Sequence, residues 1–263
     1  MPSDTHFADP HAWPRWGYGV AAVLAGLLLL LLASDGNVAL FRLINGAPWP
    51  AGAWVWSNIT VLGDTMTLLC LLLPFVGRRP DLVWSIMVAV VVVSLLIHGA
   101  KMVFDMPRPP YLLSGDDIRV IGFRAVSGAF PSGHSAAAFA FAGAICVMRF
   151  PVDAKVTVLL LAAAVGVSRV AVGIHWPLDV VAGALAGWLG VMLSVWLGRR
   201  WPLGLRLNVQ RTLALLLVVA ALFTIWNYDG GYPLARPLLM VLPLAMLALA
   251  LPGLRTLFPR RAA

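Results

Sequence analysis

Charge is what this 263-residue chain has least of. Only 11% of its residues are Asp, Glu, Lys or Arg, against 61% hydrophobic, whereas about a quarter of a soluble domain is charged. That scarcity excludes a water-soluble globule and indicates a chain embedded in lipid. Acidic residues are fewer still, 11 against 19 basic, for a formal net charge of +8. A nucleic-acid binder would gather such an excess into a dense run. Here the basic residues are scattered between apolar stretches, so no nucleic-acid partner is expected. Cysteine is limited to Cys70 and Cys146, both inside apolar stretches, which excludes a disulfide framework and leaves two packing residues. No internal repeat is evident. The longest polar connection, from Asp105 to Pro131, is too short for a soluble domain.

What fills the chain instead is apolar runs. A helix needs about 20 apolar residues to cross a bilayer, and eight stretches qualify or nearly do: Gly17 to Ala33, Ile59 to Gly77, Leu82 to Phe104, Ser132 to Phe150, Val156 to Val172, Pro177 to Leu197, Leu213 to Trp226, and Leu234 to Leu251. The leader of the first holds Asp4 and Asp9 against Arg15, and no A-x-A site follows, so it reads as an uncleaved span and not a signal peptide. Between the first two, Trp49, Trp54 and Trp56 with Pro48 and Pro50 have headgroup-level composition. Leu40, Phe41, Leu43 and Ile44 beside Arg42 fit a short helix lying on the membrane as a surface anchor. With the N-terminus inside, twelve of the 19 basic residues fall in cytoplasmic segments. The positive-inside rule therefore assigns both termini to the cytoplasm.

Three polar clusters interrupt the apolar pattern, all at span ends on the opposite, outer face. Lys101 closes the third span, and Arg108 follows in a turn bracketed by Pro107, Pro109 and Pro110, which restricts the backbone and keeps the two cations near one point. Pro131-Ser132-Gly133-His134 opens the fourth span. Ser132 suits a helix N-cap, Gly133 lets a ligand approach the backbone, and the helix dipole favours an anion there. Ser168-Arg169 and His175 with Asp179 bridge the fifth and sixth spans. His175 and Asp179 are four apart and share a helical face, so the carboxylate can fix the imidazole tautomer and leave the other nitrogen nucleophilic. Taken singly, each cluster has an ordinary reading: snorkelling cations, a helix start, an interfacial histidine. A carboxylate at the membrane edge four residues from a histidine is a functional candidate by default.

Taken together and in this order, KxxxxxxRP, PSGH and SRxxxxxHxxxD resemble the three-part signature of the type 2 phosphatidic acid phosphatase superfamily, with every signature position filled. The resemblance covers roughly Lys101 to Asp179 and the helices around it. It implies an all-α, polytopic membrane helical bundle: a membrane phosphatase core over residues 17–198, after an interfacial or disordered tail over 1–16, with an added C-terminal helix pair and basic tail over 199–263. It further implies that His175 attacks phosphorus to form a phosphohistidine, that Asp179 orients it, and that His134 protonates the leaving oxygen. Lys101, Arg108 and Arg169, with Ser132 and the Gly133 backbone, would hold the phosphoryl oxygens. No metal and no cofactor is expected, since cations fill the site. The implied activity is hydrolysis of a lipid phosphate or diphosphate at the outer face of a cytoplasmic membrane, with undecaprenyl diphosphate first among substrates. Phosphatidylglycerophosphate, phosphatidate and lipid A are the rivals, and a lipid phosphotransferase would use the same residues. The sequence carries no sign of oligomeric state.

Outside the signature, Asp64 is expected to partner a site cation, and His98 to be a satisfied interior histidine. Arg119 and Arg124 read as solvated loop charges, with a second phosphate as the alternative for them. Gly183 and Gly187, four apart among alanines, read as a close helix contact.

Overall fold

The computed structural model describes residues 15–49, 52–113 and 117–259. The tail expected over 1–16 lies almost wholly outside them, as do Pro50, Asp116 and the basic end at Arg260 and Arg261. The first helices are α1 (Arg15–Ala33), α2 (Gly36–Asn45), α3 (Gly52–Val61), α4 (Thr65–Leu72), α5 (Pro80–Phe104) and α6 (Pro109–Leu112). They are followed by α7 (Gly133–Val147), α8 (Val152–Ala171), α9 (Pro177–Arg200), α10 (Leu207–Asn227) and α11 (Arg236–Leu257). Among the described residues six helices are long and apolar enough to cross a membrane, and α3 with α4 makes a seventh candidate bent by 60°. The chain is an all-α, multi-pass membrane protein.

Three spans differ notably from their hydropathy outlines. The second is not one rod from Ile59 to Gly77. It stops at Val61 and restarts at Thr65, because Asp64 takes an extended conformation and its side chain accepts a hydrogen bond from Met66 N at 2.8 Å, capping α4. Gly63 sits inside the bend, where an added Cβ would overlap Val165 of α8 and crowd the His134 carbonyl of α7. Hydropathy averages over such a bend and cannot register it. The fourth span ends three residues early, since Met148 is already extended ahead of Pro151, leaving α7 with 15 residues. In the other direction, α10 begins six residues before its apolar run. Gln210 makes its polar first turns affordable by donating to the Gly204 carbonyl at 2.5 Å.

At the centre, α7 packs against α9 and α5 around the fully buried Trp188. The expected glycine contact is what joins the first two: a Cβ on Gly187 would overlap the Ala136 carbonyl, and one on Gly183 the Ser132 carbonyl. Helix α2 does more than anchor at the surface. Leu43 is exposed, but Phe41 is fully buried with its ring 5.1 Å from that of Trp176. Asn45 donates to the carbonyls of Arg119 and Ala171 and accepts from Arg119 N. The C-terminal pair, α10 and α11, packs on α4 and on the 3-10 turn that extends it, Leu73–Phe75. Arg236 clamps the pair by donating from Nη1 to the Thr224 and Tyr228 carbonyls and from Nη2 to that of Ile225.

If backbone contact at Gly187 joins α7 to α9, Gly187→Ala costs about 1 to 3 kcal/mol of overpacking. Gly19→Ala, in a helix position with open space around it, costs none. Thermal unfolding in detergent compares the two, and equal midpoints would remove the contact's importance.

Candidate active site

The end of α5, the start of α7, the end of α8 and the start of α9 meet at one end of the bundle. Lys101, in the last turn of α5, donates from Nζ to the Gly128 carbonyl at 2.7 Å. Arg108 uses its whole fork: Nε donates to Ser127 O at 2.8 Å, Nη2 to Gly128 O at 3.3 Å, and Nη1 to Ile174 O at 3.3 Å. The long loop after α5 thus folds back so that its carbonyls satisfy both cations, which is how charge is carried at the edge of an apolar bundle. Nη1 of Arg108 also lies 3.3 Å from Nε2 of His175.

Ser132 is fully buried and caps α7, its Oγ accepting from Ser135 N at 3.4 Å and from Ser135 Oγ at 3.0 Å. Its own backbone N donates to the Asp179 carbonyl at 2.9 Å, so the heads of α7 and α9 are tied directly. Gly133 leaves the first turn of α7 open, with the nearest side-chain atom 3.8 Å from where a Cβ would sit. His175 lies in the short connection before α9, where Asp179 Oδ2 accepts from Trp176 N at 2.8 Å and lies 3.4 Å from His175 Nδ1. With its proton on Nδ1, His175 turns the lone pair of Nε2 toward the Arg108 guanidinium. Burial pushes the His175 imidazole well below the usual histidine range, and the positive charges of Arg108, Arg169 and Lys101, then His134, add to it.

Arg169 is 3% exposed. Its Nη1 donates to Thr60 Oγ1 at 2.5 Å and to Tyr232 Oη at 2.9 Å, while Nε is buried without a partner among the described residues. His134 faces Asp64, with Nε2 3.8 Å from Oδ2, within ion-pair reach but beyond a hydrogen bond. Asp64 Oδ2 also accepts from Tyr228 Oη at 2.6 Å. Burial, and then the charge of Asp64, pushes the Tyr228 phenol upward, so it stays a donor. The structure therefore brings Lys101, Arg108, Ser132, Gly133, His134, Arg169, His175 and Asp179 to one site. Asp64 meets the Tyr228 hydroxyl and the His134 ring, because the bend before α4 turns it toward the head of α7.

Three residues of the site escaped sequence reasoning. Thr60, Tyr228 and Tyr232 stand at no recognisable spacing from the charged residues they meet, and only the fold makes them neighbours. His98, expected in the interior, is exposed on α5, with Nδ1 2.8 Å from the Ser94 carbonyl. Arg119 and Arg124 hold loop carbonyls, those of Ala47 and Pro110. Beside Gly133 and His134 opens an apolar cavity of about 180 Å³ between α4, α5 and α7, with Leu68, Ile86 and Val93 in its walls.

Cations, free helix N–H groups and a carboxylate-backed histidine converge on one point, an arrangement that could hold an oxyanion. The chain belongs to the PAP2 superfamily, the lipid phosphatase family whose pattern matches residues 81–203. It is 31% identical over 187 residues to the undecaprenyl-diphosphatase of Sulfolobus acidocaldarius, spanning 64% of this chain and 81% of that one. It is 33% identical over 134 residues to the lipid A 1-phosphatase of Rhizobium etli, spanning 45% and 56%. The crystal structure of Aquifex aeolicus LpxE superposes with a TM-score of 0.57 at 31% identity, covering 61% of this chain and 95% of that one.

The downward displacement of His175 means that its ring stays neutral into acid, where an ordinary histidine, with a pKa of about 6.5, is half protonated. Ring nitrogen NMR shifts of selectively labelled protein at pH 6 should report the neutral Nδ1–H tautomer. An imidazolium signal at that pH would contradict the burial seen here.

Proposed function

We infer that this protein is a lipid phosphate or diphosphate phosphatase acting through a phosphohistidine. The observation that carries the reading is the double contact of His175, with Asp179 at Nδ1 and the Arg108 guanidinium at Nε2. A phosphoryl group held by Lys101, Arg108 and Arg169 would present its phosphorus to Nε2. The nitrogen attacks in line, the bond from phosphorus to the bridging oxygen breaks, and His134 supplies the proton to that oxygen, which departs with the lipid or, from a diphosphate, with the lipid phosphate. Water then attacks the phosphohistidine and returns the enzyme. Ser132 and the Gly133 backbone complete the oxygen cradle at the head of α7. Charge spread over the equatorial oxygens is met by fixed cations and helix N–H groups, and on this reading neither metal nor cofactor takes part.

The lipid nature of the substrate is supported by the apolar cavity beside His134. Its lining runs from Ile86 to His98 along α5, about 18 Å of helix, a length suited to a hydrocarbon chain. Among lipids, undecaprenyl diphosphate is favoured by the name of the Sulfolobus relative, and lipid A by the name of the Rhizobium relative. Arginine and lysine counts assign both termini to the cytoplasm, and hence the site to the outer face of the cytoplasmic membrane.

Inorganic phosphate release from a detergent panel of undecaprenyl diphosphate, phosphatidylglycerophosphate, phosphatidate and lipid A tests the reading. Release should be fastest from undecaprenyl diphosphate, persist in chelator, and vanish in His175→Ala. Quenching in alkaline detergent during turnover should trap on the wild-type protein a phosphoryl label that is stable to base and lost in acid. Appearance of a phosphorylated lipid acceptor in place of free phosphate would make the protein a phosphotransferase, and loss of activity in chelator would end the metal-free mechanism. If the cavity takes the chain, Ala140→Phe at its wall should lower kcat/KM for long-chain substrates by about tenfold, the lower end of the range for one misfitted apolar group. A short-chain phosphate should be turned over as before, and equal loss on both would exclude the cavity.

A further inference from the structure

The pattern match to the family ends at residue 203, yet the connection between α10 and α11 reaches the site with two tyrosines. We propose that Tyr228 and Asp64 are positioning residues: Tyr228 fixes the Asp64 carboxylate, and Asp64 holds the His134 ring in the orientation from which it protonates the leaving oxygen. This rests on the reading of His134 as the proton donor.

The arrangement divides the two oxygens of Asp64 between two tasks. Oδ1 accepts from Met66 N and caps α4, while Oδ2 takes the Tyr228 hydroxyl at 2.6 Å and faces His134 Nε2 at 3.8 Å. Capping requires only the first. Nε2 of His134 is buried and has no hydrogen-bond partner among the described residues, so a proton carried there has the Asp64 carboxylate as its acceptor within ion-pair reach. Lys101, Arg108 and Arg169 bring three positive charges to the same site, and an imidazolium among them needs a counter-charge. With Nε2 turned to Asp64, Nδ1 is the nitrogen left for the leaving oxygen. As the P–O bond breaks, its electron pair stays with that oxygen, the Nδ1 proton passes to it, and His134 is left neutral with its Nε2 proton still directed at Asp64. The pair thus mirrors His175 and Asp179, where the carboxylate takes Nδ1 and frees Nε2.

The tyrosines are held where this requires them. Arg236 fixes the carbonyls of Thr224, Ile225 and Tyr228 at the end of α10. Phe123 N donates to Gly231 O at 3.0 Å, and the Tyr232 ring packs so closely on Gly122 that a Cβ there would meet it at 2.6 Å. From the same connection Tyr232 Oη takes the Arg169 guanidinium.

A proton donor matters for an alkoxide leaving group and little for a nitrophenolate, which departs unaided. The test compares kcat on dioctanoyl phosphatidate and on nitrophenyl phosphate for the full chain in detergent. Asp64→Asn keeps a capping oxygen for Met66 N and removes the charge. It should lose about 100-fold on the phosphatidate, the lower range for a general acid, and far less on the nitrophenyl ester. Tyr228→Phe should move the same way by a smaller factor, and His134→Gln sets the largest difference. If His134→Gln separates the two substrates while Asp64→Asn does not, the proposal fails and the proton-donor reading stands. If His134→Gln falls equally on both, the proton-donor reading itself fails. A Tyr228→Phe enzyme indistinguishable from wild type on both substrates would remove the tyrosine from the relay.

Discussion

Everything at the polar end of this bundle depends on how closely α7 approaches α9. Two glycines let backbone touch backbone there, and the amide of Ser132 is bonded to the carbonyl of Asp179. The contact makes one rigid object of two things that are far apart in the chain, the open helix N-terminus that attracts an anion and the histidine-carboxylate pair. A larger residue at either glycine would part the helices and separate these halves. Ionised groups are costly to keep in such surroundings unless each finds partners. The loop after α5 supplies them, offering the carbonyls of Ser127 and Gly128 to Lys101 and Arg108. Its length is explained by that task.

Much of this was legible before any coordinates. Long apolar runs identify spans because a lipid environment leaves the backbone no option but helix, and the three polar clusters stand out against them because charge is otherwise so rare. What escaped detection depends on directions and not on composition. The bend at Gly63 and Asp64 is made by one side-chain cap inside a run that averages as apolar. The early start of α10 goes with Gln210 finding the Gly204 carbonyl in the turn just before it. Tyr228 and Tyr232 lie far along the chain from Asp64 and Arg169, and an aromatic residue in a turn is too common to attract notice. His98 was misread because its helix face opens on the cavity between α4, α5 and α7 and is exposed there.

The C-terminal pair changes how the core should be viewed. By sequence it lies beyond residue 203, where the family match ends. By packing it lies on α4, the half-span that begins with Asp64, and its connection closes over the site beside the loop after α5. The bent second span, which the family pattern also omits, is thus held between the matched helices on one side and the C-terminal pair on the other.

The shortness of α7 has a consequence for water and lipid alike. Fifteen residues rise about 22 Å, less than the roughly 30 Å of a hydrocarbon core. Arg149, just past its far end, is exposed and belongs at one interface, so the shortfall falls at the other end, beneath Ser132. On the proposed reading, the oxyanion site would form the floor of a shallow polar well sunk into the membrane. A lipid head group would descend into it by a few ångströms while its tail stays in hydrocarbon, and the energy of pulling a long chain into water would never be required. If the protein is the phosphatase proposed, inorganic phosphate, having no tail, would leave upward, and the two products would separate by solubility alone.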